Sequence, residues 1–119
     1  MTGHTSYEMA EQRLTKKYPL HTVHGVQKLL MDIHHLRSAR FFGSDTSYIS
    51  NILVDFERLV EKSNLTKKQS EALFTMYEND FTQAETAEMM GISQQAVSKH
   101  IDNAIRKIVL AAKEEEKNV

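Results

Sequence analysis

The sequence predicts an all-α fold in which an N-terminal helical hairpin region precedes a C-terminal helix-turn-helix. Of 119 residues, one is proline and four are glycine, whereas Glu, Lys, Gln, Leu, Met and Ala, all good helix formers, are plentiful. Apolar residues recur at the three- and four-residue spacings of helices. Residues that commonly cap helices precede several of these segments.

The composition limits the class of protein. A chain of 119 residues makes one domain or two very small ones. It has no cysteine, so disulfides and thiolate metal sites are excluded, and an intracellular location fits. No apolar run approaches the roughly 18 residues of a membrane span, and the N-terminus lacks the pattern of a signal peptide. We therefore expect a cytoplasmic protein with no membrane partner.

A capping box predicts the first helix. Thr5 and Glu8 have the spacing at which each side chain satisfies a free backbone N–H. The helix is predicted to run to about Lys17, because Pro19 disfavours helical backbone at Tyr18.

A second helix is predicted from Thr22 to Arg40. Gly43 is its expected stop, and Ser44 or Asp45 is the expected cap of the next helix. The predicted apolar stripe consists of Val26, Leu29, Leu30, Ile33 and Leu36.

A third helix is predicted from Thr46 to Lys62, and it forms a helical hairpin with the second. We expect the stripes of residues 22–62 to form a dimer surface; the alternative is that they pack within their own chain. The third helix's stripe consists of Ile49, Ile52, Leu53, Phe56, Leu59 and Val60.

The sequence after residue 62 starts a new unit. Ser63 and Asn64 break the third helix, and Thr66 with Gln69 forms a second capping box. The fourth helix is predicted to reach about Glu78. Its inward residues are predicted to be Leu73, Met76 and Tyr77.

We predict three parts of the chain. Residues 1–62 form a helical region for dimerisation or partner binding, and residues 63–113 form the helix-turn-helix domain. Residues 114–119 form a charged tail, in which the acidic run Glu114–Glu116 is interpreted as a solvated end.

The helix-turn-helix itself is predicted after residue 81. Thr82 and Glu85 form a third capping box that opens a short fifth helix. Gly91 ends this helix in a tight turn, Ile92 is the apolar plug of the turn, and Ser93 caps the next helix. One side of the fifth helix is predicted to carry Ala84, Ala87 and Met90.

The last helix, from Ser93 to about Ala112, has two predicted faces. At 100° per residue, its core face consists of Val97, Ile101, Ala104, Ile105 and Ile108. The opposite face consists of Gln95, Lys99, Asp102 and Arg106. In a helix-turn-helix the second helix lies in the major groove and presents its N-terminal residues to base edges.

The polar residues of this helix suit contact with DNA. Glutamine bonds adenine through two hydrogen bonds, and lysine donates to guanine or phosphate. Arg106 and Lys107, two turns further along the helix, are better placed for phosphates. The net charge of the chain is −1, but residues 93–113 carry four cations and one acid. Any one polar residue alone is usually only solvated; the whole arrangement indicates DNA binding. The predicted contacts are Thr82, Ser93, Gln94, Gln95, Ser98, Lys99, Asn103, Arg106 and Lys107.

These motifs resemble region four of bacterial sigma factors over residues 65–108. The shared features are Leu65-Thr66 with Gln69, Glu85 with Ala87, Gly91-Ile92-Ser93, and Ala104 to Ile108. The resemblance implies a helix-turn-helix that binds promoter DNA and also contacts RNA polymerase in a bacterial host cell. The recognition helix lacks the several arginines of primary sigma factors, so we expect it to bind a different sequence.

The layout is similar to that of small phage or prophage transcriptional regulators. The leading hypothesis is a sequence-specific, DNA-binding transcriptional regulator that binds double-stranded DNA as a homodimer. One alternative is a small terminase-like DNA-packaging protein, which would assemble as a ring. Another is a sigma-like module whose main partner is RNA polymerase.

Enzymatic activity is not expected. The sequence has no glycine-rich phosphate loop, no nucleophile motif and no telling pair of carboxylates. No cofactor is expected either. His21 and His24 share a spacing that zinc ligands sometimes have, but nothing else supports a metal site. His100 is expected near the DNA backbone, where its protonation would strengthen binding.

Overall fold

A computed structural model of the chain describes residues 6–42 and 47–117. Every regular element within these ranges is an α-helix, which confirms the predicted fold class. None of these helices has the length and apolar content that crossing a membrane requires. The helices are α1 (Ser6–Lys17), α2 (Val23–Met31), α3 (Ile33–Phe42), α4 (Ser47–Lys62), α5 (Lys67–Tyr77), α6 (Gln83–Met90) and α7 (Gln94–Lys117).

Two predicted boundaries depend on residues outside the described ranges. The capping box of Thr5 with Glu8 is one of them, because Thr5 is not described. The other is the stop at Gly43 followed by a cap at Ser44 or Asp45.

The prediction of a single helix from Thr22 to Arg40 was wrong, because the chain forms α2 and α3 with a break at Asp32. The backbone of Asp32 leaves helical geometry at φ −98° and ψ 5°. Its carboxylate accepts a 2.6 Å hydrogen bond from the hydroxyl of Tyr18, which follows α1. Burial, then this hydrogen bond, raises the pKa of Tyr18. The apolar stripe continues across the break, so periodicity alone could not reveal it.

A close contact between backbones joins α1 to α2. The side chain of Thr22 caps α2 by accepting from the N–H of Gly25 at 3.0 Å, and its hydroxyl donates to the carbonyl of Pro19 at 3.0 Å. A Cβ added to Gly25 would lie 2.0 Å from that carbonyl oxygen. Glycine is therefore required here for the close approach of Pro19.

The apolar stripes of the N-terminal helices are buried within the chain. Leu29 and Leu53 are fully buried, and Val60 is partly buried against the same core. Helix α4 packs against α1, α3 and α7, and α2 also packs against α7. The stripes of residues 22–62 are thus covered, and they do not form an open dimer surface. Each fully buried aliphatic side chain stabilises the fold by about 1.5–3 kcal/mol before entropy is counted.

Helix α7 extends five residues past the predicted end at Ala112 and includes most of the predicted tail. Glu115 binds Arg58 of α4 and lies 3.4 Å from the ammonium of Lys62. Glu116 lies 3.5 Å from Nδ1 of His21. The acidic run was interpreted as a solvated end; Glu114 and Glu116 are exposed, but Glu115 pairs with cations of α4. The predicted division at residue 62 stays a prediction, since α7 packs against both parts of the chain.

We predict that Gly25→Ala destabilises the protein by about 1–3 kcal/mol, because the new methyl group overlaps backbone atoms that cannot move away easily. Chemical denaturation measures the change in the free energy of unfolding. Ser38→Ala, at an exposed position of α3, is the control and leaves stability unchanged or slightly raised. Equal stability of the two variants would contradict the close approach.

A pH-dependent contribution is expected from Glu115. Its hydrogen bond to Arg58 lowers its pKa in the folded chain. The ion pair therefore stabilises the fold at neutral pH, and this contribution is lost as the pH falls below 4.5, the ordinary value of the group. Glu115→Gln should cost no more than about 1 kcal/mol at pH 7, because solvent screens the pair.

The measurement is denaturant unfolding of wild type and Glu115→Gln between pH 7 and pH 3. The difference between the two should shrink toward the acidic end. Glu114→Gln is the matched control, because Glu114 is exposed and forms no ion pair within the described ranges. A difference that grows toward low pH would overturn this assignment.

Candidate nucleic-acid interface

Helix α5 begins with the predicted capping box. The side chain of Thr66 accepts from the N–H of Gln69 at 3.1 Å, and the Gln69 side chain accepts from the N–H of Thr66 at 3.0 Å. The same oxygen of Gln69 accepts from the ammonium of Lys107 on α7 at 2.9 Å. Gln69 is buried, so this contact fastens the start of α5 to the middle of α7.

Helix α6 also begins with its predicted capping box. The N–H of Thr82 donates to the carboxylate of Glu85 at 2.9 Å, and the N–H of Glu85 donates to the hydroxyl oxygen of Thr82 at 3.0 Å. The N–H of Thr82, followed by its hydroxyl, lowers the pKa of Glu85, so the carboxylate is ionised at neutral pH. A negative charge therefore already occupies this helix N-terminus, which disfavours a phosphate at the same donors.

The buried face of α6 differs from the predicted one. Ala87 is buried and Met90 partly so, but Ala84 is exposed. Thr86 is fully buried in its place. Its hydroxyl donates to the carbonyl of Thr82 at 2.9 Å, which satisfies the polar atom inside the core. A threonine that bonds its own helix is thus part of the packed face, and an apolar pattern does not show it.

The turn between α6 and α7 has the predicted geometry. Gly91 adopts the left-handed conformation, with φ 68° and ψ 33°. Its N–H donates to the backbone carbonyl of Glu88 at 3.2 Å, and the N–H of Ile92 donates to the backbone carbonyl of Ala87 at 3.1 Å. These two bonds form a Schellman motif, and Ile92 packs partly buried against the core. Ser93 caps α7 by accepting from the N–H of Ala96 at 3.0 Å.

Helix α7 has one buried face and one exposed face, as predicted. All five predicted core residues are buried, and Val109 and Ala112 extend the face. Within the described ranges, no salt bridge engages Lys99 or Arg106. The exposed face consists of Gln95, Lys99, Asp102 and Arg106.

The predicted contact residues fall into three groups. Gln94, Gln95, Lys99 and Arg106 are exposed, and Ser98 and Asn103 are half-buried beside them. Thr82 and Ser93 are exposed, but their side-chain oxygens already accept the capping bonds. Lys107 is half-buried and points to Gln69. The structure therefore leaves Gln95, Lys99 and Arg106 on one exposed face of α7, with Gln94 exposed at its first turn.

A polar cleft of about 180 Å³ lies beside this face. Its polar lining comes from Gln27 of α2, Tyr77 of α5, Gln83 of α6, and Ser98 and Asp102 of α7. Burial, followed by the negative charge of Asp102, raises the pKa of Tyr77. Asp102 thus places an acidic group at the edge of an otherwise neutral or cationic face.

One contact in this region had no signal in the sequence. The side-chain amide of Gln83 donates to the backbone carbonyl of Gln94 at 2.7 Å. Neither hydrophobic periodicity nor capping spacing indicates a side chain that bonds a backbone atom across a turn. No group of three or more His, Asp or Glu side chains in the described part of the chain is arranged to hold a metal ion.

Comparison with known families agrees with this geometry. Residues 63–108 match the family model described as sigma-70, region 4. The match covers less than half of the chain and spans α5, α6, the turn and most of α7. The match supports a DNA-binding helix-turn-helix module in this segment, since the matched family is one of DNA-binding regulatory domains. No curated protein and no solved structure matches the chain.

The contact of Lys107 with Gln69 predicts that Lys107 contributes to the stability of the fold and not to DNA binding. Lys107→Met removes the hydrogen bond to Gln69 and should lower the free energy of unfolding by about 1 kcal/mol. It should leave the salt dependence of DNA binding unchanged, because the ammonium of Lys107 is already engaged by Gln69 of α5. Denaturant unfolding and binding titrations at several salt concentrations measure the two quantities.

The control is Lys113→Met, at an exposed position of the same helix, and we expect it to leave stability nearly unchanged. A Lys107→Met variant with full stability and a weaker salt dependence would show that Lys107 contacts phosphate after all.

Proposed function

We propose that this protein is a sequence-specific transcriptional regulator of the kind that phages and prophages encode. Its helix α7 would enter the major groove of double-stranded DNA from about Ser93 and present Gln94 and Gln95 to base edges. The observation that carries the proposal is the exposed polar face of α7, which makes no salt bridge within residues 6–42 and 47–117 and lies opposite a buried face.

The geometry supports direct contact with bases. A side chain used for base recognition must be accessible to the base edge and held on a rigid element. Gln95 is exposed and makes no side-chain hydrogen bond within the described ranges. Two residues later, Val97 is fully buried. The packed Val97 therefore fixes the turn from which Gln95 projects.

The charge distribution supports contact with phosphates along the same face. Lys99 and Arg106 are exposed, and no carboxylate in the described ranges neutralises them by a salt bridge. Asp102 lies between them and opposes the approach of a phosphate to the middle of the face. Cations on both sides of one acid favour binding in one register, rather than general attraction to the DNA backbone.

We also propose that two copies bind one duplex, since two half-sites would provide affinity that one helix-turn-helix lacks. The stripes of the N-terminal helices are covered within the chain. A dimer would therefore pair through another surface, or only when both copies are bound to DNA.

A second candidate function is binding to RNA polymerase. It is favoured by an exposed aromatic residue on α5: Phe74 is 57% exposed and lies beside a pocket that Leu30, Val60 and Leu73 help to line. An exposed aromatic residue next to an apolar pocket is typical of a surface that binds another protein. In this alternative the net charge of −1 is no obstacle, because the protein does not depend on attraction to the phosphates of DNA.

Selection of genomic DNA fragments tests the proposal. The purified protein captures fragments of its source genome at physiological salt, and the bound fragments are sequenced. One enriched motif upstream of a gene supports a regulator, and two-fold symmetry in the motif supports a dimer. Absence of enrichment, with tight binding to RNA polymerase, would favour the second candidate, and a ring-sized assembly in light scattering would favour a DNA-packaging role.

We predict different effects for two exposed residues of α7. Gln95→Ala should change the preferred base at one position of the motif and cost about 1–3 kcal/mol on the original site, because its hydrogen bonds to a base edge are lost. Arg106→Ala should weaken binding to all duplexes and lower the salt slope by about 1. Titrations with the selected and scrambled duplexes separate the effects. Equal losses on all sequences for both variants would remove the claim of base recognition.

A further inference from the structure

The side chain of Gln83 bridges the two helices of the helix-turn-helix. Gln83 is the first residue of α6, and Gln94 is the first residue of α7. The 2.7 Å hydrogen bond from the amide of Gln83 to the carbonyl of Gln94 spans eleven positions of the chain. Within the described ranges, it is the one side-chain hydrogen bond between α6 and α7.

The other hydrogen bonds of this region do not join the start of α6 to the start of α7. The hydrogen bonds of Gly91 and Ile92 join the turn to the C-terminal end of α6. The cap of Ser93 joins the first turn of α7 to itself. Neither set relates the N-terminal end of α6 to the start of α7. Among the hydrogen bonds of the described ranges, the bond from Gln83 is the one that links these two points directly.

This distance determines where the first turn of α7 lies. Gln94 is itself exposed, so no burial of its side chain holds that turn. The first anchored side chain of α7 is Val97, almost one turn later. Without the bond from Gln83, the first turn of α7 would be held by the Ser93 cap and by the packing of Ile92 and Val97 on either side of it, and N-terminal turns fray readily.

We infer that Gln83 is a positioning residue for sequence recognition: by holding the carbonyl of Gln94, it sets the place at which Gln94 and Gln95 meet the bases. The inference rests on the proposed function of α7. It assigns to Gln83 no contact with a base or a phosphate. Its effect is on the selectivity among sequences, since a small displacement misaligns hydrogen bonds to a base edge but leaves attraction to phosphates intact.

The variant that tests this is Gln83→Met. Methionine keeps the length and neutrality of the side chain and removes the donor. The matched control is Gln12→Met, at an exposed position of α1 on another part of the protein. Both variants are compared with wild type by titration with the selected duplex and a scrambled duplex at several salt concentrations, below the melting temperature of each protein.

The ratio of affinities for the selected and scrambled duplexes should fall about tenfold for Gln83→Met, which is the order of one misaligned base contact. The salt slope should not change, and Gln12→Met should behave as wild type. Equal losses on both duplexes with a reduced salt slope would make Gln83 a phosphate contact and overturn the inference. An unchanged ratio would overturn it as well.

A measurement without DNA separates this inference from the proposed function. Hydrogen exchange reports the opening of the first turn of α7 through the amides of Val97 and Ser98. Exchange at these amides should be about fivefold to tenfold faster in Gln83→Met than in wild type, the factor expected for the loss of one hydrogen bond. Unchanged exchange would overturn the positioning role, even if wild-type protein selects a clear motif. If exchange is faster in Gln83→Met but the wild-type protein selects no motif, the hydrogen bond holds the first turn of α7, and only its use in sequence recognition is rejected.

Discussion

Burial of one face of α7 is the interaction that joins the two halves of this chain. This helix packs against α2 and α4 of the N-terminal region and against α5 and α6 of the helix-turn-helix. Val97, Ala104 and Ile108 are fully buried in these contacts. Because one helix serves as a core element for both halves, the position of its exposed face depends on the whole fold, and not on the helix-turn-helix alone.

The same packing explains why the opposite face is free. Helices on one side of α7 leave the other side open to solvent, and polar contacts at several levels hold α7 in place. Lys107 joins it to the start of α5, and Glu115 joins its end to Arg58 of α4. Gln83 joins its beginning to α6. In the proposed function, a helix held at its start, middle and end would meet DNA with little loss of conformational entropy, which favours selectivity.

Local signals in the sequence predicted much of this arrangement. The capping boxes at Thr66 and Thr82 and the left-handed turn at Gly91 depend on side chains within a few residues of each other, so spacing is enough to find them. The break at Asp32 and the ion pairs of Glu115 depend on partners distant in the chain, namely Tyr18 and Arg58. Neither periodicity nor propensity contains such information.

The candidate interface likewise has features that the sequence predicted and features that it did not. Exposure of Gln95, Lys99 and Arg106 follows from helical periodicity and was predictable. The engagement of Lys107 by Gln69 was not, because its angular position on α7 differs little from that of an exposed residue. Thr86 was not predicted in the core because threonine is polar. Its burial is possible because its hydroxyl donates to the carbonyl of Thr82, and only the folded helix shows this hydrogen bond.

The most direct measurement is a map of amide chemical shifts on addition of the selected duplex to the labelled protein. If the exposed face of α7 contacts DNA, the largest changes should fall between Gln94 and Arg106, with small changes on α3 and α4. Changes centred on Phe74 of α5, with residues 94–106 unaffected, would contradict the account and place the binding surface on the other side of the domain.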